Sequence, residues 1–170
     1  LVGGGVDPQQ LIGALPPPQL AAGCPCEWYF VSPAPRARVY EIDGCTGCTP
    51  ICGAAGALGT LVAPVAIAVR DHRIAVADPG AGNVRIWAKS GAIDAGTIWL
   101  ANARLLAFAP WSELLVIADG RDRVLRFSPT GDPRGELAAP LPALATGGAY
   151  DRLGAGGDGA VWLVTREPAV

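Results

Sequence analysis

Two stretches decide the fold: Ile74–Gly91, IAVADPGAGNVRIWAKSG, and Leu114–Gly131, LLVIADGRDRVLRFSPTG. Each opens with a short apolar run ending at an aspartate. A polar turn containing glycine follows, then a second run in which apolar and polar residues alternate, then a glycine. Alternation of period two, bounded by turn residues, is the pattern of an antiparallel β-hairpin.

Working outward, Trp28–Gly44, WYFVSPAPRARVYEIDG, follows the same plan, and Ala160–Val170, AVWLVTREPAV, begins it again. Pro33, Asp78, Asp119 and Arg166 hold equivalent places, at steps of 45, 41 and 47 residues. A recurrence of about 40–50 residues suits one four-stranded blade of a β-propeller. Further strands are expected around the hairpins. Pro64–Val69 and Leu105–Phe108 lead the second and third copies as inner strands; Gly96–Leu100 and Glu136–Ala139 follow them as outer strands. Inner strands lie between neighbouring blades, so continuous small apolar residues suit them. Three consecutive prolines rule out a helix over Leu11–Leu20. The expected fold is therefore all-β: about four propeller blades over residues 1–170, with approximate bounds 13–60, 61–101, 102–142 and an incomplete 143–170, as a closed ring or as a piece of a larger propeller.

Composition bounds the function. The chain is 51% apolar and 16% charged, with a net charge of −2, which disfavours disorder and a nucleic-acid surface. Its longest apolar run, Leu61–Val69, is broken by Pro64 and falls far short of a membrane-spanning helix of about 20 residues. The opening residues lack the charged and apolar regions of a signal peptide. The chain reads as soluble, without an assignable compartment.

The five cysteines fall within residues 24–52. Cys24 and Cys26 precede the first strand of the first hairpin; Cys45 and Cys48 follow its second. Antiparallel pairing should bring these ends together, with Cys52 able to curl back. Three readings stay open: a closed structural zinc site on Cys24, Cys26, Cys45 and Cys48, one or two disulfides among them, or free thiols packed as small apolar groups. A redox-active Cys45-Thr-Gly-Cys48 is disfavoured, since no helix follows to stabilise a thiolate.

Other candidates have simpler readings. Asp78 and Asp119 could form a ring of carboxylates, but repetition at one turn position favours aspartates that accept backbone N–H groups. His72, the single histidine, lies in a polar turn and excludes a multi-histidine metal centre. Gly154-Ala-Gly-Gly-Asp-Gly159 lacks the lysine and helix of a phosphate loop and reads as a hairpin turn. Trp28, Trp87 and Trp162 fall in repeat strands, where packing between blades is expected. Trp111, in the turn Pro110-Trp-Ser112, is the candidate exposed binding residue.

The second copy resembles an NHL repeat, with an inner strand, a strand ending at Asp78, a Gly/Asn turn and a strand closing on glycine. The third matches with Asp119, Arg123 and Val124; the first departs from it at Pro33. Over about residues 15–135 the arrangement of Cys24, Cys26, Cys45, Cys48 and Cys52, with Trp99 after the second copy, is similar to propeller-bearing phage tail proteins of bacterial phage-tail-like contractile injection systems. That resemblance implies a non-catalytic structural or binding component, with other proteins of a larger particle as partners. The rival expectation is a lactonase- or lyase-like propeller enzyme with a metal in the central channel. The inner strands Pro64–Val69 and Leu105–Ala109 supply no carboxylate, amide or imidazole to hold one.

Overall fold

The computed structural model describes residues 20–22, 27–32, 38–43, 47–52, 60–88, 93–144 and 148–166, with side chains from residue 60 onward except Ile93 and Asp94. The first meander is β1 (Leu20–Ala22), β2 (Glu27–Ser32), β3 (Arg38–Asp43) and β4 (Gly47–Cys52). The second is β5 (Ala66–Arg70), β6 (Arg73–Asp78), β7 (Asn83–Ala88) and β8 (Ile93–Trp99). The third is β9 (Ala103–Ala109), β10 (Glu113–Ala118), β11 (Arg123–Phe127) and β12 (Pro133–Pro140). A final pair, β13 (Ala149–Ala155) and β14 (Val161–Arg166), ends the described chain. No α-helix occurs among the described residues.

Strands pair only within these groups, giving three four-stranded sheets and one two-stranded sheet among the described residues, each antiparallel and in sequential order. Short turns enforce that order, because a hairpin can only return beside the strand it leaves. Between sheets the contacts fall on the leading strands: β5 lies beside β1 and β9, and β9 beside β13. The sheets are therefore stacked face to face with their first strands innermost, as blades about an axis, instead of joining edge to edge.

Side-chain alternation explains the stacking. On β9 and β10, Leu106, Phe108, Leu114, Val116 and Ala118 point to the second blade, where Ala66, Ala68, Ala75, Ala77, Val84, Ile86 and Ile98 meet them. The intervening Leu105, Ala109, Leu115 and Ile117 point the other way, and Leu153, Ala155, Val161 and Leu163 of the last pair pack on them. A strand covered on both faces needs an unbroken apolar run, which ARLLAFA and ELLVIA provide. In the second blade, Ile67, Ile74, Val76 and Trp87 form the face turned away from the third and are buried as well. Burial of each such side chain contributes about 1.5–3 kcal/mol.

The second and third blades meet so closely that a side chain is excluded at one point. A Cβ on Gly96 of β8 would collide with the Thr130 carbonyl oxygen, in the turn between β11 and β12. That turn is rigid. Asp132 accepts from the Ser128 hydroxyl at 2.8 Å and the Thr130 hydroxyl at 3.0 Å, while the Asp132 amide donates to Ser128 Oγ at 2.9 Å. These hydroxyls hold the Asp132 carboxyl below its ordinary range.

Two expectations need amendment. The inner strand β13, AYDRLGA, was not anticipated, because Asp151 and Arg152 hide its apolar alternation. Trp162 is 61% exposed, on the face of β14 opposite the inward-packed Val161 and Leu163, where no blade lies against it among the described residues. Trp87 is buried as expected.

Candidate functional site

The strands of each blade end on two faces. One carries the starts of the inner strands and the ends of the second strands, and here the two equivalent aspartates diverge. Asp78, at the end of β6, is fully buried. It accepts the amides of Val62 at 2.7 Å, Ala63 at 2.8 Å and Ala81 at 3.2 Å, as expected of a turn aspartate. Two of those donors belong to the segment leading into β5, so Asp78 also fastens the approach to the inner strand. Asp119, just past β10, departs from that expectation. Its carboxylate takes Arg104 Nε at 2.7 Å, with the two side chains 57% and 60% exposed.

Beside Arg104 and Asp119 opens a cleft of about 520 Å³. It lies where the third blade meets β13, with Val65 of the second blade at its margin. Leu105, Ile117 and Tyr150 supply apolar lining, and the Tyr150 hydroxyl is fixed by donating to the Pro142 carbonyl at 2.5 Å. Asp151 of β13 faces Arg166 at the end of β14, 3.7 Å away. Arg121, in the turn after β10, also lines the cleft, held there as its amide donates to the Ala118 carbonyl at 3.2 Å. Its guanidinium is exposed and has no ion-pair partner among the described residues. The lining is thus mainly polar, two Asp–Arg pairs and one further cation, with a smaller apolar part beside Tyr150. Its volume falls within the roughly 300–1,000 Å³ common for small-molecule sites.

A second, smaller cleft of about 270 Å³ lies on the opposite face, among Arg70, Asp71, His72, Arg73, Ala88, Phe108, Ser112 and Pro129. His72 is exposed in the two-residue turn between β5 and β6. Asp71, its neighbour in that turn, has φ of 52°, and Ser112 in the next inner hairpin has φ of 62°. Aspartate tolerates the left-handed conformation that tight hairpins need, and Ser112 adopts it although serine has no such preference.

Of the residues singled out from sequence, Trp111 sits on that same side, in the β9–β10 turn. It is 37% exposed, and its indole N–H donates to Glu113 at 2.9 Å. Glu113 in turn takes both forks of Arg126, at 2.7 and 2.8 Å, which with the indole contact hold its carboxyl below the ordinary range. Cys24, Cys26 and Cys45 lie outside the described residues, and Cys48 and Cys52 are described only as backbone of β4, opposite Ile42 and Val39. Among the described residues no group of three or more His, Cys, Asp or Glu could hold a metal ion. Of the glycine-rich stretch, Gly154 and Ala155 close β13 and Gly156–Gly159 form the turn to β14, where the Gly156 amide donates to the Ala160 carbonyl at 2.8 Å.

No protein-family model matches the chain, and no curated protein matches it in sequence. Solved structures do match. Virginiamycin B lyase from Staphylococcus aureus superposes with a TM-score of 0.63 at 14% identity, over 86% of this chain and 48% of that one. The chain is a β-propeller. A structure of the nidogen/laminin complex gives 0.58 at 16% identity, over 80% and 51%, and the glutaminyl cyclase of Myxococcus xanthus gives 0.60 at 10%, over 87% and 67%. The propeller spans about half the length of the first two matched chains. At such identities the likeness concerns fold alone, and these propellers include both enzymes and a binding complex. Among the described residues no helix is long and apolar enough to cross a membrane.

The cleft was not anticipated as a unit. Arg104, Arg121, Asp151 and Arg166 carry no shared motif, and they meet only because β13 lies against β9. Two signals were available: Asp119 and Arg166 hold equivalent places in the repeat, and the charged pair Asp151–Arg152 interrupts a stretch otherwise suited to an inner strand.

Proposed function

We propose that this propeller is a non-catalytic structural and binding component of a larger protein assembly, engaging its ligand or partner through the face that carries the 520 Å³ cleft. One observation supports this reading above the others. Each carboxylate in the cleft already faces an arginine, Asp119 with Arg104 and Asp151 with Arg166, while Arg121 is left for an incoming group. Paired charges around a spare cation suit recognition, which depends on complementary fixed charge. Acid–base work asks instead for a lone group within reach of a reacting atom. The cysteine placement that resembles phage tail proteins supports a tail-like particle as the assembly. The test is size-exclusion of native extracts carrying the tagged chain. Elution within a large particle is expected; a freely soluble monomer would refute the assignment.

A second reading, a lactonase- or lyase-like enzyme with a metal in its channel, draws on one feature: β13 brings the carboxylate of Asp151 to an inner strand. Calcium and zinc titration with a lactone-hydrolysis screen separates the two, since metal-dependent turnover would overturn the binding assignment.

A further inference from the structure

The cleft's chemistry narrows what it can hold, granted that it is a binding site. A polyanion such as a nucleotide would meet the carboxylates of both Asp119 and Asp151, and a cation would meet Arg104, Arg121 and Arg166. A ligand with one negative charge and several hydroxyls avoids both conflicts. Arg121 offers a planar fork that matches a carboxylate in two parallel hydrogen bonds. The carboxylates retain acceptor capacity. Asp119 Oδ2 receives Arg104, whereas Asp119 Oδ1 accepts no hydrogen bond among the described residues. At 3.7 Å the Arg166–Asp151 contact is an ion pair beyond hydrogen-bond reach, so both Asp151 oxygens can take hydroxyl donors. Tyr150, half-buried and held through its hydroxyl, offers apolar surface for the carbon skeleton of a ring.

We propose that the cleft between the third blade and the β13–β14 pair binds a sugar acid, with the ligand's carboxylate on Arg121 and its hydroxyls on Asp119 and Asp151. No bond is made or broken; the role is recognition of an acidic monosaccharide unit, free or at the end of a glycan. The inference rests on the binding role proposed above and specifies its ligand.

The test uses the whole chain, isotope-labelled, titrated with D-glucuronate while the backbone amide and arginine Nε–H resonances are followed. Glucose tests the need for the carboxylate and acetate the need for the hydroxyls. Glucuronate should shift the signals of Arg104, Gly120, Arg121 and Tyr150, with glucose and acetate at least tenfold weaker. Arg121→Gln, at an exposed turn position, should fold normally and weaken glucuronate at least tenfold, while Arg73→Gln on the opposite face should change nothing. A glucuronate-terminated oligosaccharide binding more tightly than the monosaccharide would identify the glycan end as the source; equal affinity would point to the free acid. Equal binding of glucose and glucuronate, unaltered affinity in Arg121→Gln, or no response at the cleft would each overturn the proposal. With the chain still recovered in a large particle, such a failure would remove the sugar acid alone; a monomer in extracts would remove the assembly role.

Discussion

Removing the Asp78 side chain should destabilise the protein far more than removing that of Asp119, although the two hold the same place in the repeat. Asp78 is fully buried and accepts amides from Val62, Ala63 and Ala81 at 2.7, 2.8 and 3.2 Å. Hydrogen bonds to a charged group contribute about 1.5–3 kcal/mol each, and an orphaned buried donor costs about 1–3 kcal/mol. Part of that loss is recovered in Asp78→Ala. A buried carboxylate no longer has to be desolvated, and Val62, 54% exposed, lies where water can reach the freed segment. The net expectation is about 3–4 kcal/mol, a large share of the roughly 5–15 kcal/mol typical of a folded domain. Asp119→Ala breaks one exposed ion pair, worth at most about 1 kcal/mol. Urea denaturation followed by tryptophan fluorescence reads the difference. With a slope near 2 kcal/mol/M, Asp78→Ala should lower the midpoint by about 1.5–2 M and Asp119→Ala by less than about 0.5 M. Equal shifts in the two variants would refute the assignment of Asp78 as the fastening of the approach to β5.

Gly96→Ala sets a methyl group against the Thr130 carbonyl and should cost about 1–3 kcal/mol, seen as a lower melting temperature; an unchanged melt would mean that the blades are less closely apposed than described. Trp87→Phe removes a buried indole N–H that has no hydrogen-bond partner among the described residues, so it should cost less than about 1 kcal/mol, whereas Trp87→Ala should cost about 3–5 kcal/mol in the same denaturation assay. Glu113 and Asp132 are both held below ordinary carboxylate values in the folded state. The unfolded chain therefore takes up protons first on acidification. Their contribution is present above the ordinary range near pH 4, falls through it, and is gone below the folded values. Ser128→Ala should flatten this acid limb of the stability–pH curve, and an unchanged limb would exclude Asp132 as a contributor.

Much of the architecture was legible along the chain because hairpins are local. A turn such as Asp78-Pro-Gly-Ala-Gly-Asn83 forces the next strand back beside the last, and the alternation in NVRIWA states which residues face a neighbour. The recurrence of these units, with continuous apolar runs in front, was enough to call for blades stacked on both faces. What did not follow is everything that depends on contacts remote in sequence. Asp78 and Asp119 look interchangeable until Val62 and Ala63, 15 or more residues earlier, are seen to reach one of them and not the other. Trp162 looked like a core residue because its strand matches the repeat, yet its side chain falls on the face turned from the third blade. The cleft draws on Arg104, Arg121, Asp151 and Arg166, which no periodicity links; the packing of β13 along β9 brings them together. Hydrogen-bond geometry acts between neighbours and leaves a periodic trace in the chain. The meeting of distant side chains is decided by how whole sheets pack, and packing of that kind writes no pattern into the order of residues.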